Sequence, residues 1–200
     1  MIIIDNYINA FSKTFHNEQS PWEITAHLDE IIIALIRTLY NEFEIKGHLA
    51  IHKTATIEKG AVIKAPAIIG SHCFVGANAY LRNGVYLNEG VKIGTGCEIK
   101  SSIIFSNSTI AHFNFIGDSI IGSNVNFEAG SVTANHYNER TDKQITVLYN
   151  DELVSTGVVK FGALVGDDCK IGANAVLSPG TLLLPNTVVK RLELVEQVLC

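Results

Sequence analysis

Residues 73–100, CFVGANAYLRNGVYLNEGVKIGTGCEIK, place an aliphatic residue at every sixth position: Val75, Leu81, Leu87, Ile93 and Ile99. Outward from this stretch, the phase runs back through Ile69, Ile63 and Ile57 to Ile51, and forward to Phe105. Four residues after each comes a second, mostly small set: Ala55, Ala61, Ala67, Cys73, Ala79, Val85, Val91 and Cys97, then Ile103 and Thr109. The frame returns as Val165, Ile171, Leu177, Leu183 and Val189. A period of six fits neither the 3.6 of a helix nor the 2 of a simple strand. It fits a parallel β-helix whose triangular coil takes three hexapeptides, about 18 residues, with large residues inside and small ones at crowded corners. Cys73, Cys97 and Cys169 fall on the small positions and read as packing residues.

The rest of the chain agrees with a single mainly β domain. Of 200 residues, 47% are apolar and only 18% charged, which excludes a disordered chain. A net charge of -5 argues against nucleic-acid binding, which needs a basic face. No apolar run reaches the roughly 20 residues of a membrane span. MIIIDNYINA has neither a basic start nor a cleavage site, so no signal peptide is expected. The four cysteines lie far apart without a CxxC, and a reducing, cytoplasmic setting is expected.

Residues 1–47 read as a strand/helix cap. Ser20-Pro21-Trp22-Glu23 is a helix start with a capping box, and Ile24, Leu28, Ile31, Leu35, Ile36 and Leu39 follow at helical spacing. A helix of about 20 residues is expected to run to near Phe43 and cover the open first coil. The β-helix spans 48–189. Its phase is lost over 135–160, a polar insertion in which QITVLYN reads as a strand; insertions of this kind are often functional loops. The tail, 190–200, is expected to be a short helix.

Two features carry chemistry. His112 sits in AHFNFIGDSIIG, where the step from Ile116 to Ile121 contracts to five residues. Lys64, Arg82 and Lys100 are 18 apart and should stack in successive coils, on the order of 5 Å from one another. Like charges so close repel unless an anion or solvent intervenes. An exposed ladder and a phosphate site both satisfy that condition.

Residues 51–189 resemble the left-handed β-helix of the hexapeptide-repeat acyltransferases. AHFNFIGDSIIGSNVNFEAGSVTAN (111–135) is similar to the acetyltransferase domain of the bifunctional glucosamine-1-phosphate acetyltransferase/N-acetylglucosamine-1-phosphate uridylyltransferases, and VKFGALVGDDCKIGANAVLSPG (159–180) to archaeal-type enzymes of that kind. With only residues 1–50 ahead of the repeat, the nucleotidyl-transferring half is not expected.

The resemblance implies an acetyl-CoA-dependent N-acetyltransferase acting on an amino-sugar phosphate, glucosamine 1-phosphate, in UDP-N-acetylglucosamine biosynthesis. It implies acetyl-CoA as co-substrate, no metal, and a homotrimer with sites between subunits. His112 corresponds to the general base and Glu98 to a supporting acid. Arg82 and Lys100 match the cations on the sugar phosphate, and Asn126 and Asn135 match substrate amides. Ala129 matches a backbone position near the thioester, and Ala173 stands where a CoA-contacting serine is usual. Phe115 and His136 replace tyrosines. Two other readings share the scaffold: a non-catalytic regulator or partner of a separate nucleotidyltransferase, and a zinc enzyme like the gamma-type carbonic anhydrases. The second would need three histidine ligands, and no close H-x4-H pair accompanies His72 and His112, or His48 and His52.

Overall fold

In the computed structural model, which describes residues 2–15 and 19–198, parallel strands wind into a three-faced solenoid. One face is a seven-stranded sheet of two-residue strands running from Thr56–Ile57 to Val188–Val189, with registers such as Phe74↔Lys92, Thr109↔Asn126 and Asn126↔Lys170. The other two faces form one thirteen-stranded sheet, because Tyr80–Leu87 and Glu98–Ile104 continue around the corner between them. The second face contains the pairs Tyr80↔Glu98, Glu98↔Phe115 and Phe115↔Val132. The third contains Ala50↔Ile68, Ile68↔Tyr86, Tyr86↔Ile103 and Ile120↔Leu164. Val75, Leu81, Leu87, Ile93 and Ile99 fill the interior, as the sixfold phase predicts.

The phase shifts earlier than the sequence reading expects. The interior residue after Ile99 is Ile104. Phe105 lies outside the solenoid, against Phe11 and Phe15. Two five-residue steps, Ile99 to Ile104 and Ile116 to Ile121, therefore shorten two coils. The corner positions become Ser102, Ser108 and Ser119 rather than Ile103 and Thr109, and all three are fully buried. Their hydroxyls serve the tightened backbone: Ser119 N donates to Ser102 Oγ at 3.1 Å, Val125 N to Ser108 Oγ at 2.9 Å and Ala163 N to Ser119 Oγ at 3.0 Å. Buried polar groups persist when paired in this way.

The N-terminal segment departs from the single helix predicted. It forms α1 (Phe11–Thr14), α2 (Pro21–Ala26) and α3 (Leu28–Ile36), followed by a strand, Phe43–Lys46, that pairs antiparallel with Leu49–His52. The capping box does start α2: the Ser20 N–H donates to the Glu23 carboxylate at 2.8 Å. His27, at φ -110 and ψ 19, breaks the helix. The break turns Trp22 and Ile24 of α2, and Leu28, Ile32 and Ile36 of α3, onto the same surface. That surface is the third face and not the open end. It exposes an outward apolar ladder, Ala50, Ile68, Ile103, Ile120, Leu164 and Leu182, which the helices bury. Each Ile or Leu of the ladder contributes roughly 1.5–3 kcal/mol on full burial. Gly84 admits the helix closely, since a Cβ there would lie 3.1 Å from Asp29 N.

The insertion also folds onto the third face. Thr146–Tyr149 and Glu152–Ser155 form a hairpin, and Ile145 and Val147 join the outer core. The tail makes a strand, Leu194–Val195, paired with Val176–Leu177, where a helix was expected. Capping an open sheet edge satisfies its backbone donors and acceptors. An isolated helix of about ten residues is marginal. Leu199 and Cys200 lie outside the described residues.

Candidate active site

Successive coils stack the corner between the first and second faces into a column. Phe113 N donates to Thr95 O at 3.0 Å, Gly130 N to His112 O at 2.9 Å, Asn174 N to Ala129 O at 3.0 Å and Leu192 N to Ala173 O at 3.0 Å. His112, Ala129 and Ala173 thus share one edge. Two glycines seat the His112 turn. A Cβ at Gly94 would lie 1.4 Å from Ala111 O and 3.1 Å from His112 Nδ1, and one at Gly96 would lie 2.6 Å from the Phe113 ring. His112 is exposed, and its ring forms no hydrogen bond or ion pair among the described residues. Next to it, Phe113 is 70% exposed and holds φ +55. A bulky residue in the left-handed region costs energy, and such strain clusters at functional sites.

Beside this column on the first face runs an open groove of 690 Å³, lined by Asn126, Glu128, Lys170, Lys190 and Arg191 among others. Glu128 ties coils together: its Oε2 accepts from Ala173 N and from Arg191 Nε, both at 2.9 Å. The Arg191 hydrogen bonds hold its carboxyl below the usual range.

The opposite corner, between the second and third faces, carries the cation stack. Lys64 N donates to Leu81 O at 2.8 Å, and Arg82 lies in register with Lys100, so the three cations do occupy successive coils. Their repulsion is relieved within the chain. Arg82 pairs with Glu98 at 2.7 Å, both side chains about a third exposed. Lys100 pairs with Asp118 at 2.6 Å, with side chains 11% and 8% exposed. Asp118 also accepts a short hydrogen bond from Asn135 Nδ2. Of the two pairs, Arg82–Glu98 faces solvent, and Arg82 Nη1 makes no hydrogen bond among the described residues. Lys100 is committed inward.

The eight residues singled out from sequence therefore divide. His112, Ala129 and Ala173 occupy one corner, with Asn126 on the adjoining first face. Arg82, Lys100 and Asn135 occupy the other corner, and Glu98 lies on the second face that separates the two. Asp118 was missed, although its place in IGDSIIG, at a contracted coil, marked a turn of unusual geometry; its φ is +46. Among the described residues, no three His, Cys, Asp or Glu side chains converge as a metal site would require.

Comparison with known proteins bears on this arrangement. Residues 50–83 match the bacterial transferase hexapeptide (six repeats), and 154–183 match the hexapeptide repeat of succinyl-transferase. The chain carries the hexapeptide repeats of these families over both stretches. Residues 75–160 match the GMPPB C-terminal domain. Two proteins of Methanococcus maripaludis strains, both named bifunctional protein GlmU, are 47% and 39% identical over 173 residues, covering 84% of this chain and 41% of theirs. A bifunctional sugar-1-phosphate nucleotidylyltransferase/acetyltransferase of Sulfurisphaera tokodaii is 34% identical over 100 residues, 46% of this chain and 24% of its own. This hexapeptide-repeat chain thus spans about a quarter to two fifths of the length of these relatives. Among the described residues, no helix is long and apolar enough to cross a membrane.

Proposed function

We propose that this protein is an acetyl-CoA-dependent N-acetyltransferase acting on an amino-sugar phosphate, glucosamine 1-phosphate, in nucleotide-sugar synthesis. The observation that carries the reading is His112: an exposed imidazole with no partner among the described residues, seated by glycines beside the left-handed Phe113, in one column with Ala129 and Ala173. The names of the GlmU relatives support it. A neutral imidazole can take the proton that an ammonium must lose before it becomes a nucleophile. The free amine then attacks the thioester carbonyl, a C–N bond forms, the C–S bond breaks, the nitrogen loses its second proton to solvent as the amide forms, and the imidazolium returns its proton to the sulfur so that CoA leaves as the thiol. Backbone donors of the Ala129 corner would face the oxyanion. Acetyl-CoA would run along the corner beside the Asn126–Arg191 groove.

The phosphate belongs with Arg82, whose guanidinium keeps a nitrogen beyond Glu98 and faces solvent. His112 and Arg82 sit towards different corners of one chain. A homotrimer joins them: closed threefold packing sets the second face of each subunit against a neighbour and makes three equivalent sites. The third face is taken by the helices and the hairpin. The second stays open, with Val62 at 42%, Tyr80 at 37% and Leu194 at 59% exposure. A cytoplasmic enzyme is the setting in which acetyl-CoA is at hand.

The test is release of CoA thiol from acetyl-CoA against a panel of amino-sugar phosphates, free amino sugars and nucleotide amino sugars. Turnover greatest with glucosamine 1-phosphate supports the reading. No thiol release with any acceptor refutes it in favour of a non-catalytic partner of a separate nucleotidyltransferase.

A further inference from the structure

We propose that Asp118 is a positioning residue for the acceptor half of the site, setting Lys100, Asn135 and the neck of the 135–160 insertion in one arrangement. The proposal rests on the acetyl-transfer reading above. Both Asp118 carboxylate oxygens receive the Lys100 ammonium, at 2.7 and 2.6 Å, and Oδ2 also accepts from Asn135 Nδ2. The backbone adds three ties. Asp118 N donates to Lys100 O at 2.8 Å, Gly162 N donates to Asp118 O at 2.9 Å, and Phe161 N donates to Asn135 O at 3.0 Å. The two ends of the insertion therefore close on each other and on Asp118.

Packing leaves this junction no slack. A Cβ at Gly117 would lie 3.0 Å from Asn135 Cγ, and one at Gly162 would lie 2.1 Å from Gly117 O. Contacts continue outward, with Asn135 Oδ1 3.2 Å from Nδ1 of the exposed His136. Lys100 and Asp118 also line a 500 Å³ pocket walled by Thr25 and Asp29 of the α2–α3 junction and by Val158 and Lys160 of the insertion. Asp118 acts through Lys100 and Asn135, and its oxygens are already filled by them.

Asp118→Asn is the informative variant. Asparagine tolerates the left-handed backbone at φ +46. The shape is kept, while the charge facing Lys100 and the capacity to accept from both partners are lost. KM and calorimetric Kd for glucosamine 1-phosphate should rise by roughly ten- to a hundred-fold, the scale expected when positioned groups shift. KM for acetyl-CoA should stay unchanged. Because a lone buried ammonium can unfold the chain, Lys100→Met/Asp118→Asn is measured beside it. This pair should fold and bind the sugar phosphate no more weakly than the worse single variant.

An unaltered glucosamine 1-phosphate Kd in Asp118→Asn, or equal weakening of acetyl-CoA and sugar phosphate, overturns the proposal. The two readings fail separately. A wild-type chain that binds glucosamine 1-phosphate without turnover refutes acetyl transfer and leaves the binding comparison to decide on Asp118. An active Asp118→Asn with wild-type constants refutes positioning and leaves acetyl transfer standing.

Discussion

Lys100→Met and Arg82→Met should separate sharply in stability, although both remove one cation of the same stack. The Lys100–Asp118 pair is 2.6 Å long with side chains 11% and 8% exposed. Deleting the ammonium leaves a buried carboxylate with Asn135 as its remaining side-chain donor. Breaking a buried pair from one side costs about 3–5 kcal/mol. Arg82–Glu98 has side chains 29% and 35% exposed. Solvent screens that pair, and its loss should cost about 0.2–1 kcal/mol. For a chain of this size, about 2–4 °C of Tm accompanies each kcal/mol, so Lys100→Met should melt roughly 6–20 °C lower and Arg82→Met less than about 4 °C lower. Calorimetry, with urea midpoints as a second probe, reads both. Equal melting temperatures would refute the division of the stack into a buried, inward pair and a solvent-facing, outward one.

Three further outcomes follow from the same geometry. His112→Ala should lower turnover by roughly 10²–10⁴ with no change in Tm, since the ring is exposed and has no partner among the described residues; an active variant sinks the base assignment. Ser119→Ala strands the Ala163 N–H at a contracted corner and should destabilise by about 1–3 kcal/mol in urea unfolding, whereas a neutral effect would contradict the hydroxyl's role there. Burial pushes the Cys73 thiol up to about 11 and the Tyr86 hydroxyl up to about 12. Groups raised in the folded state contribute stability below their unfolded values, near 9 and 10, that is lost as pH rises through the folded ones. The urea midpoint should therefore hold to about pH 8.5 and fall from there towards pH 11; a flat profile over that range would count against the burial argument.

Much of the fold was legible because one interior position repeats every six residues. The point at which the phase slipped was not, since Phe105 is as apolar as Ile104 and apolarity alone does not tell them apart. A second periodic signal marked it. Left-handed corner residues fall at Asn78, at the bulged pair Asn83 and Gly84, at Gly90 and Gly96, then at Ser101, Asn107, Phe113, Asp118, Asn124 and Gly130. The five-residue steps, 96 to 101 and 113 to 118, flank the same coils as the interior contractions. Asn, Asp and Gly are the residues that accept this conformation readily, so their spacing carries the register independently of the core.

The outward ladder was missed for a related reason. Apolar runs such as Ala67–Ile69, Ala163–Val165 and Thr181–Leu183 mark strands buried on both faces. Their presence on one face only predicts a covering layer there. The split helix and the tail strand were decided by that layer and by an open sheet edge, both tertiary effects. At the site, spacing located the cations but not their carboxylates. Glu98 and Lys100 are two residues apart, yet they serve partners in opposite directions along the solenoid axis, Arg82 one coil back and Asp118 one coil on.

The central claim is that base and phosphate cation come from different subunits, and subunit mixing tests it most directly. Arg82→Ala and His112→Ala, each inactive alone, are mixed in equal amounts under conditions that allow exchange, and thiol release from acetyl-CoA with glucosamine 1-phosphate is measured. In a cyclic trimer each mixed species holds one intact pairing in three, and random exchange makes three quarters of the trimers mixed, so activity should recover to about one quarter of wild type. Full exchange, verified by mass, with activity still at the level of the separate variants would contradict the account.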